Sequence, residues 1–536
     1  LSSNFMVRSK YFVITLILLS LYLMIFYMVV EVYKIPQATP PVLKIASVPL
    51  PYVLVHLDFK GAPPKLAYLE TLLPTLKSYG ANGLLMEYED MFPYSGKLAN
   101  ISARNCYNKS ELTHFITKAT SMGFEVVPLV QTFGHMEYVL KLPEYQHLRE
   151  DPKYPDSICP SKGESVALIT GMLQQVIIEF HNSMQKLKYI HIGCDEVYHT
   201  NKCPECRGRN ISMTDIVNGL TSTKVLIWDD MIRKIKPFQW QYVDEFDNVE
   251  PVFWNYEPKN KMTHAHLLFY SKKFSNIWTA SAFKGADGNT EVIPNLKNRY
   301  LNNLYWMTSF LNFQMNGETS VYNFKGIILT GWSRYSHFDP LCELLPVSLP
   351  SLITNLLLIN TFVTGIKHYG DFKVDPAHFF QKFLEPKVGE ALSCYSAVDV
   401  TNFDDLHCVF EENLLYRIQK RYVNTKTDIT TFLSEDNLGV WALEYQNMSY
   451  INWNSIGKRI ERCQRWLMDL EDIEAKMKIY MTKYYEDVVV NEYIDSKMHN
   501  LKLALSNTLN SLFKYQNTKP RTWDRRPYPR EYPKIV

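Results

Sequence analysis

Residues 189–197 read YIHIGCDEV, a short run of β-forming residues that ends in two adjacent carboxylates. In a β-strand alternate side chains lie on the same face, so His191, Gly193 and Asp195 share one face and the intervening apolar residues share the other. The apolar face suits a cover of helices, and the polar face suits the inside of a barrel. Glu196 follows where the strand turns into its loop, which predicts that Asp195 and Glu196 lie side by side above a pocket.

Seven other β-branched runs flank this one and alternate with longer segments of helical spacing. The eight predicted strands are Val53–Leu57, Gly83–Glu87, Val126–Val130, Tyr189–Gly193, Val225–Trp228, Val252–Trp254, Ile277–Ala280 and Gly326–Leu329. This alternation predicts an α/β fold, a (β/α)8 TIM barrel over residues 51–390, whose active site is built by the loops that follow the strands. A doubly wound open sheet would alternate in the same way, but no glycine-rich phosphate fingerprint follows an early strand.

The N-terminal region predicts a membrane anchor. Residues 11–30 read YFVITLILLSLYLMIFYMVV without a charge, and at about 1.5 Å per residue they match the roughly 30 Å hydrocarbon thickness of a bilayer. A cleaved signal peptide, the alternative, would have a shorter apolar core that ends in small residues. Arg8 and Lys10 favour a cytosolic segment 1–10, and residues 31–50 form a proline-rich stem.

This topology predicts a single-pass type II membrane protein of the secretory pathway (Golgi, lysosome or cell surface) with its barrel in the lumen or outside the cell. Four Asn-x-Ser/Thr sequons fit a glycoprotein of that kind. They begin at Asn100, Asn108, Asn210 and Asn447.

Beyond the barrel the strand pattern fades. Residues 452–485 and 492–512 carry helical spacing of apolar residues without an interior proline, so residues 391–515 are predicted to form a helical C-terminal region. Residues 516–536 are basic and proline-rich, which is typical of an extended or disordered tail.

The composition excludes several classes of protein. Of 536 residues 46% are hydrophobic, enough for a large core, so the chain as a whole is not disordered. The 57 Lys and Arg nearly balance the 55 Asp and Glu, which predicts no nucleic-acid partner. Cys203 and Cys206 form a CxxC, but zinc takes four ligands and no second pair is evident, so we predict no metal and no cofactor. Whether these two cysteines form a disulfide or stay free is open.

Adjacent carboxylates restrict the reaction that they can catalyse. A retaining glycosidase normally holds two carboxyl groups about 5 Å apart on opposite sides of the scissile bond, and neighbours on one chain cannot easily straddle it. They can act from one side, where one protonates the leaving group and the other steers a nucleophile that the substrate supplies. The amide oxygen of a 2-acetamido sugar is such a nucleophile. The residues permit this substrate-assisted hydrolysis without requiring it.

The stretch His191-Ile192-Gly193-Cys194-Asp195-Glu196 resembles the His-x-Gly-x-Asp-Glu signature of family 20 glycoside hydrolases, the β-N-acetylhexosaminidases. The flanking segments are similar to the hexosaminidase D branch in particular, and the resemblance covers about residues 50–390. The matching segments are VHLDFKGAPPK at 55–65, QTFGHMEYVLK at 131–141, HIGCDEVYH at 191–199, WDDM at 228–231, SAFKGA at 281–286 and TGWSRYSHFD at 330–339.

The resemblance implies a role for each acid. Glu196 would be the general acid/base, with a pKa raised by a water-excluding pocket and by the Asp195 charge. Asp195 would orient the N-acetyl group of the substrate and stabilise the oxazolinium intermediate. The implied substrate is an oligosaccharide or glycoconjugate that ends in N-acetylglucosamine or N-acetylgalactosamine.

Eight further residues are expected to bind this substrate. Two histidines would support the acids or contact sugar hydroxyls, three tryptophans would wall the pocket, a tyrosine would donate to the amide oxygen, and two acids would bind hydroxyls. In that order they are His135, His191, Trp228, Trp254, Trp332, Tyr256, Asp229 and Glu343.

Two positions depart from the family pattern. The arginine that lysosomal members place after the first strand is absent, and Asp58 or Lys60 is the candidate substitute. The Trp-x-Glu of those enzymes reads Trp332-Ser333-Arg334. A catalytically silent glycan-binding barrel and a glycosidase of another barrel family therefore stay open as alternatives. The sequence does not predict the oligomeric state.

Overall fold

The computed structural model describes residues 42–45, 47–207, 223–235, 248–258, 264–315, 323–369, 376–396, 398–403, 408–435 and 453–519. The predicted anchor at residues 11–30 and nearly all of the predicted tail lie outside them and stay predictions. Within the described part, one helical stretch, Pro346–Thr364, is long and apolar enough to cross a membrane, but 78% of its apolar window is buried inside the protein. The sequon residues Asn100 and Asn108 are exposed.

Eight parallel strands form a closed barrel, as the sequence predicts. Every predicted strand overlaps one of them, and each strand pairs with its neighbours along the chain. The last strand closes the ring on the first through pairs such as Ile328 with Leu54, which excludes the open sheet. In chain order the strands are β1 Tyr52–Asp58, β2 Gly83–Glu87, β3 Glu125–Leu129, β4 Tyr189–His191, β5 Lys224–Trp228, β6 Val249–Trp254, β7 Ile277–Lys284 and β8 Phe324–Gly331.

Helices follow most strands and continue beyond the barrel. They are α1 Leu66–Ser78, α2 Lys109–Ser121, α3 Glu137–Leu140, α4 Gly163–Leu173, α5 Asp230–Arg233, α6 His264–Lys273, α7 Leu296–Met315, α8 Leu349–Thr364, α9 Pro376–Ala391, α10 Asn413–Glu435, α11 Trp453–Met481 and α12 Asp487–Gln516. In α1 the buried Leu66, Leu69, Leu73 and Leu76 recur every three or four residues, the spacing that turns one helix face inward. The C-terminal region is helical, as predicted, and includes α10, which the sequence did not single out.

Aromatic residues fill the bottom of the barrel. Trp278 is fully buried; its ring stacks on Tyr52 at a centroid distance of 5.4 Å and meets Tyr189 edge-on at 5.1 Å. Its indole nitrogen donates to Glu250 Oε2 at 2.7 Å. Because these residues lie at or near the starts of their strands, the opposite, C-terminal end is left for a site.

Two antiparallel strand pairs lie outside the barrel sheet. Arg149–Asp151 pairs with Tyr154–Ile158 in the connection between β3 and α4, and we call this pair the β3 hairpin. Val42–Ile45 pairs with Ile366–Tyr369 in a separate compact unit. In the C-terminal region Cys394 and Cys408 form a disulfide.

Candidate active site

A cavity of about 310 Å³ lies at the C-terminal end of the barrel strands. Seven of the ten predicted site residues line it, including both acids. The lining residues are Lys60, His135, Asp195, Glu196, Trp228, Arg233, Trp254, Asn255, Tyr256, Glu257, Gly285, Ala286, Trp332, Arg334 and Tyr335.

The two acids reach the cavity by a left-handed turn. The prediction that the strand runs to Gly193 and presents Asp195 by simple alternation is wrong, because β4 ends at His191. Gly193, Cys194 and Glu196 have φ values of 70°, 71° and 48°. These values lie in the left-handed region of backbone conformation, which residues other than glycine rarely adopt. A Cβ on Gly193 would lie 1.8 Å from Oε1 of the buried Gln131, so a larger residue at this position would have to displace that side chain and adopt a strained φ. Strain of this kind persists where the surroundings hold it, often at functional sites.

His135 lies between the two acids. Its Nε2 is 3.4 Å from Asp195 Oδ2 and 3.4 Å from Glu196 Oε2. Burial alone would lower the pKa of His135, but the Asp195 charge and the hydrogen bond with Glu196 raise it to about 9. His135 is therefore a cation at neutral pH, shared by two carboxyl groups.

The two carboxyl groups have opposite pKa shifts. Burial, together with the charges of Glu87 and Asp230, raises the pKa of Asp195 to about 7 against the effect of His135. The hydrogen bond with His135 lowers the pKa of Glu196, whose side chain is 37% exposed. The expected raised pKa of Glu196 is therefore wrong for the free protein, because this side chain lies at the cavity rim where water and the imidazolium stabilise its charge.

Aromatic rings also line the cavity. Trp228 and Trp332 lie with ring centroids 5.8 Å apart, and Trp254 stacks on Tyr256 at 5.2 Å. The Trp332 indole donates to the Tyr256 hydroxyl at 3.2 Å. Burial raises the pKa of Tyr256, so this hydroxyl keeps its proton and can donate it to another acceptor. The four predicted aromatic residues thus form one continuous wall.

His191 does not line the cavity, contrary to the prediction. It is fully buried, and its ring lies against Trp228 at a centroid distance of 4.4 Å. Its Nδ1 accepts the Gly193 N–H at 3.0 Å. Burial lowers the pKa of His191 to about 3, so it is neutral. This histidine supports the turn and the aromatic wall from below.

Asp229 was expected to bind hydroxyls, and this prediction too is wrong for the observed structure. Its carboxylate accepts hydrogen bonds from Arg233 Nε at 2.9 Å, the Tyr270 hydroxyl at 2.8 Å and the Trp254 N–H at 3.2 Å. Asp229 therefore positions Arg233, which does line the cavity.

Glu343 likewise lies outside the cavity lining. It is only 1% exposed, and burial raises the pKa of its carboxyl group. The neighbouring Cys342 thiol interacts with this carboxyl group. The expected contact between Glu343 and a sugar hydroxyl is not possible in this conformation, because the side chain does not reach the cavity.

Asp230, the neighbour of Asp229, joins the two sides of the cavity. Its Oδ2 accepts the Glu196 N–H at 3.1 Å, and its Oδ1 accepts the Trp254 indole N–H at 3.5 Å. Asp230 does not line the cavity either, so it positions Glu196 and Trp254 and has no contact of its own with the cavity.

Three cations also reach the cavity. Lys60 Nζ lies 3.3 Å from Glu89 Oε1 and 5.5 Å from the Trp332 ring centroid. Of the two candidate substitutes for the missing arginine, only Lys60 lines the cavity, because Asp58 instead accepts the backbone N–H groups of Lys60 and Ser333. Arg334 forms an ion pair with Glu492 of α12 at 2.7 Å, and the third cation is Arg233.

Known proteins resemble more than half of this chain. No family model matches the sequence. Hexosaminidase D from Bos taurus is 41% identical over 335 residues, which are 59% of this chain and 94% of that protein. Hexosaminidase D from Homo sapiens is 40% identical over 333 residues, 58% of this chain and 66% of that protein.

Solved structures are more distant. A β-N-acetylhexosaminidase from Bacteroides fragilis is 16% identical, with a TM-score of 0.45 over 65% of this chain and 72% of that chain, an overlap too low to bear on the site. The bovine protein, in contrast, is matched over nearly its whole length. The chain belongs to the hexosaminidase D family of glycoside hydrolases.

Proposed function

We propose that the protein is an exo-β-N-acetylhexosaminidase that removes a terminal N-acetylglucosamine or N-acetylgalactosamine by a retaining, substrate-assisted mechanism. The observation that carries the proposal is the cluster of Asp195, His135 and Glu196, which faces an aromatic wall across one cavity. The names of the curated relatives support the same activity.

Asp195 is suited to steer the acetamido group. It is buried, and its Oδ1 has no partner within the described part of the chain, so it can accept the amide N–H of the substrate. Tyr256 can donate to the amide oxygen and set its direction. The amide oxygen then attacks the anomeric carbon, and the Asp195 charge stabilises the positive oxazolinium that forms. Holding both reacting atoms within one substrate lowers the entropic part of the barrier.

Glu196 is suited to protonate the leaving group. In the free protein the proton of the carboxyl pair sits on Asp195, whose pKa is about 7, while the pKa of Glu196 is lowered. A sugar over Glu196 removes water and raises its pKa, and the developing positive charge lowers that of Asp195. The bound substrate therefore favours the form in which Glu196 holds the proton and Asp195 is charged.

The size and polarity of the cavity favour a single terminal sugar. A volume of about 310 Å³ lies at the small end of ligand pockets, which run from about 300 to 1,000 Å³. Lys60, Arg233 and Arg334 line it and present hydrogen-bond donors to sugar hydroxyls. A flat aromatic wall suits the apolar face of a pyranose and the acetamido methyl group.

The test is turnover of three aryl β-glycosides: an N-acetylglucosaminide, an N-acetylgalactosaminide and a plain glucoside. We expect hydrolysis of at least one acetamido substrate and none of the glucoside, which lacks the nucleophile. Binding of the acetamido sugars without turnover across pH 4 to 8 would instead favour a silent glycan-binding barrel. Hydrolysis of the plain glucoside would indicate a glycosidase of another mechanism.

We also propose that residues 11–30 anchor the protein as a type II membrane protein of the secretory pathway. The support is the uncharged run itself and the cations before it. Deletion of residues 1–30 should move the protein from the carbonate-resistant membrane fraction to the soluble or secreted fraction. A deletion variant that stays in the membrane fraction would contradict the anchor.

A further inference from the structure

Three cysteines and a glutamate meet beside the active site, and we call them the cysteine cluster. Glu150 lies in the β3 hairpin, and Cys159 is the residue that follows this hairpin. Cys203 and Cys206 lie in the loop after β4. All four side chains are buried, each at most 6% exposed. The cavity does not include them, and the proposed reaction does not use them.

The spacing within the cysteine cluster suits a metal ion better than a disulfide. Cys159 Sγ lies 3.2 Å from Cys203 Sγ and 3.4 Å from Cys206 Sγ, and Glu150 Oε2 lies 3.1 Å from Cys206 Sγ. All four donor atoms lie within 4.8 Å of one another. A disulfide holds its sulfurs about 2.0 Å apart, whereas tetrahedral zinc with bonds of about 2.3 Å holds its ligands about 3.8 Å apart.

Backbone groups hold the donors in place. Glu150 Oε1 accepts the N–H groups of Lys202 at 2.7 Å and Cys203 at 3.2 Å, which turns Oε2 toward the sulfurs. The Cys206 N–H donates to Cys203 Sγ at 3.3 Å, and the Ser161 hydroxyl lies 3.2 Å from Cys206 Sγ. Hydrogen bonds of this kind orient metal ligands and stabilise thiolates.

Glu150 is a buried carboxylate that forms no ion pair with a lysine or arginine in the described part of the chain. Two backbone N–H groups and the Cys206 thiol stabilise its charge by hydrogen bonds. A divalent cation among the three sulfurs would take the place of the thiol protons, which metal binding releases.

We propose that Glu150, Cys159, Cys203 and Cys206 bind one Zn²⁺. Three soft thiolates select zinc among the common divalent ions. Since protein atoms fill all four positions of a buried tetrahedral site, none is left for water or substrate, and the ion is structural. The sequence alone does not predict this site, because only Cys203 and Cys206 form a local motif. Folding brings Glu150 and Cys159 to that pair.

The site joins the two loops that carry the candidate catalytic residues. The β3 connection carries His135, and the β4 loop carries Asp195 and Glu196. Besides the cysteine cluster, a hydrogen bond of 2.9 Å between Asp156 Oδ1 and His199 Nδ1 links the same loops. Zinc binding would therefore fix the distance between His135 and the acids, yet the site stands or falls independently of the proposed activity.

The test is the zinc content of the full chain, purified without chelators and measured by mass spectrometry of the elements. We expect about one zinc per chain, lost in Cys159→Ser and Glu150→Ala. Cys106→Ser is the matched control, because Cys106 is a free, partly exposed cysteine outside the cluster. Zinc retained at the full ratio in Cys159→Ser would overturn the proposal.

A second measurement keeps the proposal testable if the variants do not fold. The wild-type protein is treated with a chelator, and the thiols that react are counted before and after. We expect three additional reactive thiols as zinc leaves. A wild-type chain without zinc, in which peptide mapping finds a disulfide between two of Cys159, Cys203 and Cys206, would overturn the proposal.

Discussion

The two sides of the cavity are built by different means. On the acid side, His135 and Glu196 have left-handed backbones with φ of 51° and 48°, and one imidazolium is shared by two carboxyl groups. On the aromatic side, Trp228 and Trp254 are the last residues of β5 and β6 and are placed by regular strands. Charge chemistry here depends on strained turns and coupled protons, whereas the sugar-binding shape follows from the barrel. Substitutions on the two sides should therefore differ in kind.

The largest effect is expected for Glu196→Gln on the acid side. Loss of the general acid should lower kcat about 10²- to 10⁴-fold for substrates with a poor leaving group. An acidic nitrophenol needs less protonation, so its glycoside should lose less. The measurement is kcat for two leaving groups, with Glu144→Gln, an exposed acid outside the cavity lining, as the control. An unchanged kcat with both substrates would break the assignment.

The next effect is expected for Asp195→Asn. The amide can still accept a hydrogen bond from the acetamido N–H, but it cannot stabilise the positive intermediate. We expect kcat to fall about 10²- to 10³-fold while KM changes little, as for other groups that act on charge in the transition state. Steady-state kinetics separate the two parameters. A rise of KM with kcat retained would place Asp195 among the residues that only bind sugar.

A smaller effect of another kind is expected on the aromatic side. Trp254→Ala removes a ring that stacks on Tyr256 and contacts the cavity. We expect KM to rise roughly tenfold, about 1.4 kcal/mol, with kcat nearly retained, since stacking acts equally on the ground state and the transition state. Trp254→Phe should recover most of the affinity. A fall of kcat as large as that of Asp195→Asn would remove the difference between the two sides.

The smallest effect is a shift of the pH profile in His135→Gln. The carboxyl pair acts with one proton, so the alkaline limb of kcat/KM should reflect loss of that proton near the Asp195 pKa of about 7, and the acid limb protonation of Glu196. Removing the His135 cation raises the pKa of both carboxyl groups, because it takes away a positive charge that stabilises their charged forms. Both limbs should therefore move to higher pH, by about one unit. A shift of either limb to lower pH would contradict the electrostatic account.

The success of the sequence-based predictions also differs between the strands and the charged residues of the site. The eight strands follow from local pattern, whereas the aromatic wall was expected from the resemblance of the segments after the strands to the family. Asp229 was misassigned because Arg233 and Tyr270 already occupy its oxygens. The pKa of Glu196 was misjudged because the imidazole that lowers it comes from another loop. Contacts between distant residues, which no local pattern shows, decide these cases.

In the proposed reaction the substrate supplies its own nucleophile while Asp195 and Glu196 assist it. The most direct measurement is kcat/KM for aryl β-glucosaminides whose N-acetyl group carries zero, one, two or three fluorine atoms. Each fluorine draws electrons from the amide oxygen and weakens it as a nucleophile. Attack by the amide oxygen should give a steep fall of kcat/KM along the series, and rates that do not depend on fluorination would rule this attack out.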